Sequence, residues 1–265
     1  MSAVQAAACL RESARIALQH RAPADKCAAT DALPSGDAAV FPDRILEAPA
    51  HLPCRLERPE LVSVLKVPKR SVHTVEGRAA LLHSIAHIEL NAIDLALDIM
   101  WRFPHLPKAF YHDWARVAQE EAKHFRLLND HLAALGYQYG DFPAHNGLWD
   151  AAEKSKHDIL ARLALVPCTL EARGLDASPA VRDKLLSAGD KKGAEILDLI
   201  LEEEIGHVAI GNRWFHHVCA ERGFNPTEHY RALLTEHMPD YRLRAPINVE
   251  ARKAAGGENG ELLLV

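Results

Sequence analysis

Between Glu76 and Arg222, apolar side chains return every three to four positions along four long stretches, and no alternating run of useful strand length appears. The spacing predicts helix A over 76–103, where Leu82, Ile85, Ala86, Ala92, Ile93 and Ala96 share a face, closed by Pro104 and Pro107. Helix B is predicted over 108–135, with Gly136 placed for a left-handed C-terminal residue. Thirteen residues without a pattern, GYQYGDFPAHNGL, follow. Helix C is read over 149–173 and helix D over 191–222, with Asp190 as N-cap and Gly223 at the stop. Between C and D, Ser178-Pro179 reads as the opening of a shorter helix.

The flanks differ in character. Residues 4–20 are Ala-rich with helical spacing and predict a short N-terminal helix. From Pro34 to about Val75, six prolines break any helix and predict an arm that wraps across other elements. The chain past Pro226 mixes short helical pieces with Gly256-Gly257 and reads as surface or contact material. The expected division is 1–75 for N-terminal helix and arm, 76–223 for an all-α four-helix bundle, and 224–265 for a C-terminal extension. Thirteen residues at about 3.3 Å each reach roughly 40 Å, the length of a helix of about 25 residues. A full-length crossover from B to C is therefore within reach, and a simple up-down bundle with a slack loop stays open.

Composition narrows the class. The 265 residues are 48% hydrophobic and 25% charged with a net charge of −5, which suits a folded core and excludes disordered and fibrous chains. No apolar run is long enough to span a membrane, and the N-terminus lacks a basic start followed by an apolar stretch, so a cytoplasmic location is expected. Five cysteines without a C-x-x-C spacing argue against a disulfide framework and against a thiolate metal site. Histidine is the unusual residue, 16 in all, outnumbering Phe and Tyr together.

Ionisable residues sit inside the apolar stripes. Glu89 lies at the centre of the helix A stripe, Glu121 and His124 share the apolar face of B, Glu171 that of C, and Glu204 and His207 that of D. An unpaired buried carboxylate costs several kcal/mol, so these groups must be neutralised, paired or metal-bound. Glu and His at i and i+3 stand side by side and can reach one ion; two such helices with two single-Glu helices supply four carboxylates and two imidazoles, a ligand set for two adjacent iron or manganese ions. The halves also match in register, since His207 follows His124 by the same 83 residues as Glu204 follows Glu121. Chance gives about one Glu-x-x-His in such a chain, so the weight rests on the apolar setting and matched offsets rather than on the motif alone.

The pattern Glu89, Glu121-Ala-Lys-His124, Glu171, Glu204-Ile-Gly-His207 resembles the ferritin-like di-metal carboxylate superfamily. The strings HSIAHIELNAIDLALD, EEAKHFRLLNDHL, YGDFPAHNGLWDAAEKS, LEARGLD and EIGHVAIGNRWF resemble, over about 55–255, an uncharacterised bacterial ferritin-like family, a domain of unknown function. The superfamily includes bacterioferritin, rubrerythrin, manganese catalase, the ribonucleotide reductase small subunit and a tRNA hydroxylase. The resemblance implies a ferritin-like bundle with the long crossover and two Fe ions, or Mn or mixed Fe/Mn. It implies Glu121 and Glu204 as bridges, Glu89 and Glu171 as terminal ligands, and one imidazole, His124 or His207, on each metal. It names no catalytic residue beyond these.

Other residues carry weaker readings. Glu120 and Glu203 each precede a ligand Glu, where related enzymes often have an Asp that hydrogen-bonds a ligand histidine; that role and a solvated charge on the helix face are the two readings. His83 and His87 read as packing or surface residues, Trp114 as core, and Asp141, His145 and Asn146 as turn and cap residues. Pro167, four residues before Glu171, is expected to bend helix C. The function expected is a di-iron or di-manganese oxidoreductase that uses O2 or peroxide to oxidise or hydroxylate an unidentified small molecule, with electrons from an external donor. The alternatives are metal storage with a ferroxidase centre, which calls for a cage, and a tRNA-modifying hydroxylase. Nucleic-acid and membrane partners are not expected, given the negative net charge and short basic clusters; a homodimer is compatible with the chain.

Overall fold

The computed structural model describes residues 9–35, 40–49, 51–68 and 70–256. Two short helices come first, α1 (Leu10–Leu18) and α2 (Pro23–Asp31). The N-terminal helix is thus shorter than expected, with residues 4–8 of the expected span outside the described set, and α2 escapes the periodic reading because PADKCAATD carries no apolar stripe. Arg11, fully buried in α1, donates to the carbonyls of Met100 and Trp101 at 3.0 and 2.9 Å and to those of Phe41, Pro42 and Arg44. It ties the proline-rich segment to a helix end whose last carbonyls have no partner within the helix.

That helix is α3 (Val75–Arg102), opened by Thr74, whose hydroxyl accepts from the Gly77 amide at 3.0 Å. A short connector leads to α4 (Lys108–Ala134), which packs along α3; so short a link makes the two antiparallel. α4 ends at Leu135, and Gly136 takes the left-handed φ of +86°. The next residues travel along α3. Gly140 N donates to His83 Nε2 at 2.9 Å, His87 Nε2 meets His145 O at 3.1 Å, and Trp149 of α5 (Gly147–Lys154) packs with Leu95. Arg162 of α6 (Ile159–Leu165) then pairs with Asp98, so α6 begins at the opposite end of α3 from where α4 stops. This connection spans the bundle, and α4 and α6 run in the same direction.

Helix C is corrected in three ways. Ser155 bonds back to Ala151 O at 2.8 Å and ends α5, and Asp158 restarts the chain by accepting from Ala161 N at 3.1 Å, so α5 is a separate element. The bend expected at Pro167 is a π-helical segment, Val166–Glu171, which leads directly into α7 (Ala172–Ser187). Ser178-Pro179 opens no helix, because Pro179 lies inside α7 and Ser178 Oγ donates to Gly174 O at 2.9 Å. Pro179 lacks the N–H that would bond Leu175 O, and Asn248 Nδ2 from the C-terminal extension takes its place at 3.2 Å.

α8 (Lys191–Arg222) follows, capped by Asp190 on the Gly193 amide at 2.9 Å and stopped by Gly223 at φ +70°. It packs along α7 and the π segment and also against α4. Two further helices, α9 (Pro226–His237) and α10 (Val249–Ala254), pack on the bundle, burying Tyr230, Leu233, Leu234 and Ala251. Among the described residues the extended pairing is confined to one isolated bridge, Leu61 with Ala144, so the architecture is all-α. α3 is long and apolar enough to cross a membrane, yet 72% of its most apolar window is buried inside the protein, where it serves as the bundle's core.

Candidate metal centre

Four helices bring the ionisable groups of the apolar stripes to one place. Donor atoms of Glu89, Glu121, His124 and Glu204 all lie within 4.8 Å of one another. His124 Nδ1 is 3.1 Å from Glu89 Oε2, 3.5 Å from Glu121 Oε2 and 3.8 Å from Glu204 Oε1. His207 joins from α8, its Nδ1 2.9 Å from Glu121 Oε1 and 3.4 Å from Glu204 Oε1. Glu171, at the end of the π segment, borders the same space, and the charges of Glu204 and Glu121 act on it. All six sequence-predicted ligands are thereby brought together.

The outer nitrogen of each ring is held from the opposite helix. His207 Nε2 lies 2.7 Å from Glu120 Oε2 of α4, and His124 Nε2 lies 2.7 Å from Glu203 Oε2 of α8. A carboxylate only accepts here, so each Nε2 carries the proton and each Nδ1 faces the cluster. Lys123 also pairs with Glu203, a contact the sequence reading did not contain. Thr169 and Tyr230 were likewise missed: Thr169 Oγ1 in the π segment donates to Ala164 O of α6 at 2.7 Å, and Tyr230 OH meets Thr169 Oγ1 at 2.7 Å. Nothing local to Tyr230 marks it, because its partner lies on another helix.

The electrostatics are those of a site crowded with negative charge. Burial, and then the charge of Glu121, push Glu89 up to about 7. Glu171 is raised well above the carboxylate range by burial and by Glu204 and Glu121. Burial alone would lower His124, but the Glu121 and Glu89 carboxylates that face its ring outweigh it and lift it to about 11. His207 is raised in the same way, with the charges of Glu204 and Glu121 overcoming burial. Outside the cluster, the hydrogen bond to His207 lowers Glu120; Glu203 is lowered because Lys123 and His124 outweigh its desolvation.

These residues fit divalent cations. Both oxygens of Glu121, Oε2 of Glu171 and Nδ1 of His207 are buried without a hydrogen bond despite the close approaches around them. A protein does not desolvate so many acceptors for nothing. Without a metal the cluster draws protons; a cation would replace them on the inward Nδ1 and carboxylate atoms, leaving the Nε2–H donors in place.

The carboxylates also border a cavity of about 390 Å³, lined by Glu89, Glu121, Glu171 and Glu204 and otherwise mostly by apolar side chains of α3, α5, α7 and α8. Asp141 and Asn146 serve the turn, Asp141 Oδ2 accepting from Gln138 N at 2.8 Å and Asn146 bonding Asp150. His145 adds a place in the cavity wall. His83 and His87 are buried against the crossover, and Trp114 is core beside Phe110.

A helical scaffold with a buried cluster of carboxylates and imidazoles defines the class. The chain belongs to the family described as "Protein of unknown function (DUF455)", whose pattern matches residues 15–263. It is 50% identical over 216 residues to an uncharacterized protein of Haemophilus influenzae, covering 78% of this chain and 74% of that one. No solved structure matches.

Proposed function

We propose that this protein is a ferritin-like di-metal carboxylate oxidoreductase, with two Fe or Mn ions, that uses O2 or peroxide to oxidise or hydroxylate a small substrate. The observation that carries the reading is the convergence of Glu89, Glu121, His124 and Glu204 within 4.8 Å, with acceptors left unpaired. In this reading Glu89, Glu121, Glu171 and Glu204 would hold the ions through their carboxylates, and His124 and His207 would each offer Nδ1. Such a pair of ions supplies redox chemistry at coordination positions the protein leaves open.

The chain's own residues do the rest. Glu120 and Glu203 fix the two rings and their tautomers. The largely apolar cavity beside the carboxylates gives a substrate room, which favours turnover over storage, since stored ions arrive hydrated and charged. The net charge of −5 gives no support to a tRNA substrate. Five cysteines with no disulfide among them suit a reducing, cytoplasmic setting.

Metal content tests this, measured by mass spectrometry on protein purified without chelators, beside a Glu121→Ala, Glu204→Ala double variant. The expected result is about two Fe or Mn per wild-type chain, lost in the variant, with O2 uptake by the Fe(II) protein. Failure to take up metal after anaerobic Fe(II) and Mn(II) reconstitution would overturn it.

A further inference from the structure

The cavity beside the carboxylates has a built polarity. Its walls are apolar, with Ala92, Leu148, Leu170, Val181 and Ile200 among them, and the four glutamates occupy one side. Ile88 is the single exposed position of α3 between Ala86 and Trp101; its side chain, 42% accessible, lies on this cavity. Ile88 thereby carries the apolar lining of the cavity out to the protein surface, as a concave site for a partly apolar ligand requires.

Among the described residues, Arg173 is the one Lys or Arg in the wall, and its side chain is 33% accessible. Its Nη1 donates to Arg244 O at 2.7 Å, Pro246 O at 3.0 Å and Asp176 Oδ2 at 3.2 Å, so the C-terminal extension fixes the guanidinium in place. Asp176 is engaged mainly elsewhere, since Arg252 takes both its oxygens at 2.9 and 2.7 Å and Asn248 N donates to it at 2.9 Å. Nη1 therefore spends its bonds on neutral carbonyls and a shared carboxylate, and among the described residues Nε and Nη2 make no hydrogen bond, which leaves the edge that binds a carboxylate in two parallel hydrogen bonds. Glutamates on one side repel an anion and Arg173 in the wall attracts one.

Resting on the di-metal reading, we infer that the substrate is an amphiphilic acid, its hydrocarbon chain in the cavity against Ile88 and its carboxylate on Arg173. The chain then points a carbon–hydrogen bond toward the glutamate cluster, and the acid group stays away from it.

Calorimetric titration of the purified full chain with decanoate, decanol and decylamine, with metal per chain counted on the same samples, tests this. Decanoate is expected to bind at least about tenfold tighter than the other two, as for a paired carboxylate. Arg173→Gln removes that advantage and leaves decanol unchanged, Arg173→Lys keeps part of it, and Ile88→Trp, at an open position that spares the core, weakens all binding by about tenfold or more. Decanoate no tighter than decanol, or indifferent to Arg173→Gln as it would be with its head on a metal, overturns the inference. No binding to samples that carry their metals also overturns it while leaving the metal reading intact. The expected pattern in samples that take up no metal upholds the cavity assignment and sinks the metal reading.

Discussion

His207 Nε2 lies 2.7 Å from Oε2 of Glu120, which directly precedes Glu121 on the opposite helix, and the mirror contact joins His124 to Glu203 at 2.7 Å. Each Glu-Glu pair thus points one carboxylate into the cluster and gives the other to the histidine across from it. The two halves orient each other, and neither motif is complete on its own helix.

From this crossing, Glu120→Gln and Glu203→Gln should each lower metal affinity by roughly 10- to 100-fold, while leaving the fold intact. An amide can present either an oxygen or an N–H to the ring, so the tautomer is no longer enforced. Competition titration with a chelating dye measures it, and affinities equal to wild type in both variants would show the rings to be held by packing alone.

Glu171→Gln should stabilise the metal-free protein and abolish metal-induced stabilisation. Glu171 has a buried oxygen without a partner and is raised well above its ordinary range by burial and by Glu204 and Glu121, so folding without a cation forces it to take up a proton it would not hold in water. A gain of about 1–3 kcal/mol is expected in urea unfolding without metal, with no further gain on adding Fe(II) or Mn(II). A variant less stable than wild type under metal-free conditions would contradict this.

Gly211→Ala tests how α8 accepts the π segment. A Cβ at Gly211 would sit 2.4 Å from Pro167 Cβ and 2.8 Å from Pro167 Cγ, well inside contact distance. Overpacking of this kind costs about 1–3 kcal/mol, and Pro167→Ala in the same chain should recover part of it. Additive losses in the double variant would rule the contact out as the cause.

Acid should destabilise the protein through His83 and His87. Burial lowers both from 6.5 to about 4, aided in His87 by the charge of Arg55. Between those values the unfolded chain binds protons that the folded one refuses, so stability is lost as pH falls from about 6.5 toward 4. Each histidine contributes about 1.4 kcal/mol per pH unit within that window. Urea unfolding across the range should show a shallower slope for His83→Phe than for wild type; identical slopes would mean that His83 is not the group being protonated.

Much of the site was legible because its signals are local. A glutamate between apolar neighbours at ±3 and ±4 must face the core whatever the core turns out to be, which placed Glu89, Glu121, Glu171 and Glu204, and the i, i+3 spacing carried His124 and His207 with them. Asp190, Gly136 and Gly223 were readable for the same reason, since caps and left-handed stops act within a few residues. Helix C was misread where a local signal met a distant partner. Pro179 ordinarily opens a helix, but Asn248, 69 residues further on, takes the Leu175 carbonyl that the proline leaves free. Pro167 announced a distortion but not that it would be a π segment braced by Tyr230 and received by Gly211.

By itself, then, the sequence determined the all-α class, the three long helices α3, α4 and α8 and the six inward-facing ligand candidates, because helix periodicity is settled by neighbours one turn away. Only the tertiary structure decided which carboxylate holds which ring, where the cavity opens, and that Arg173 stands in its wall. Those relations join residues tens of positions apart, and helix packing rather than spacing along the chain brings them into contact.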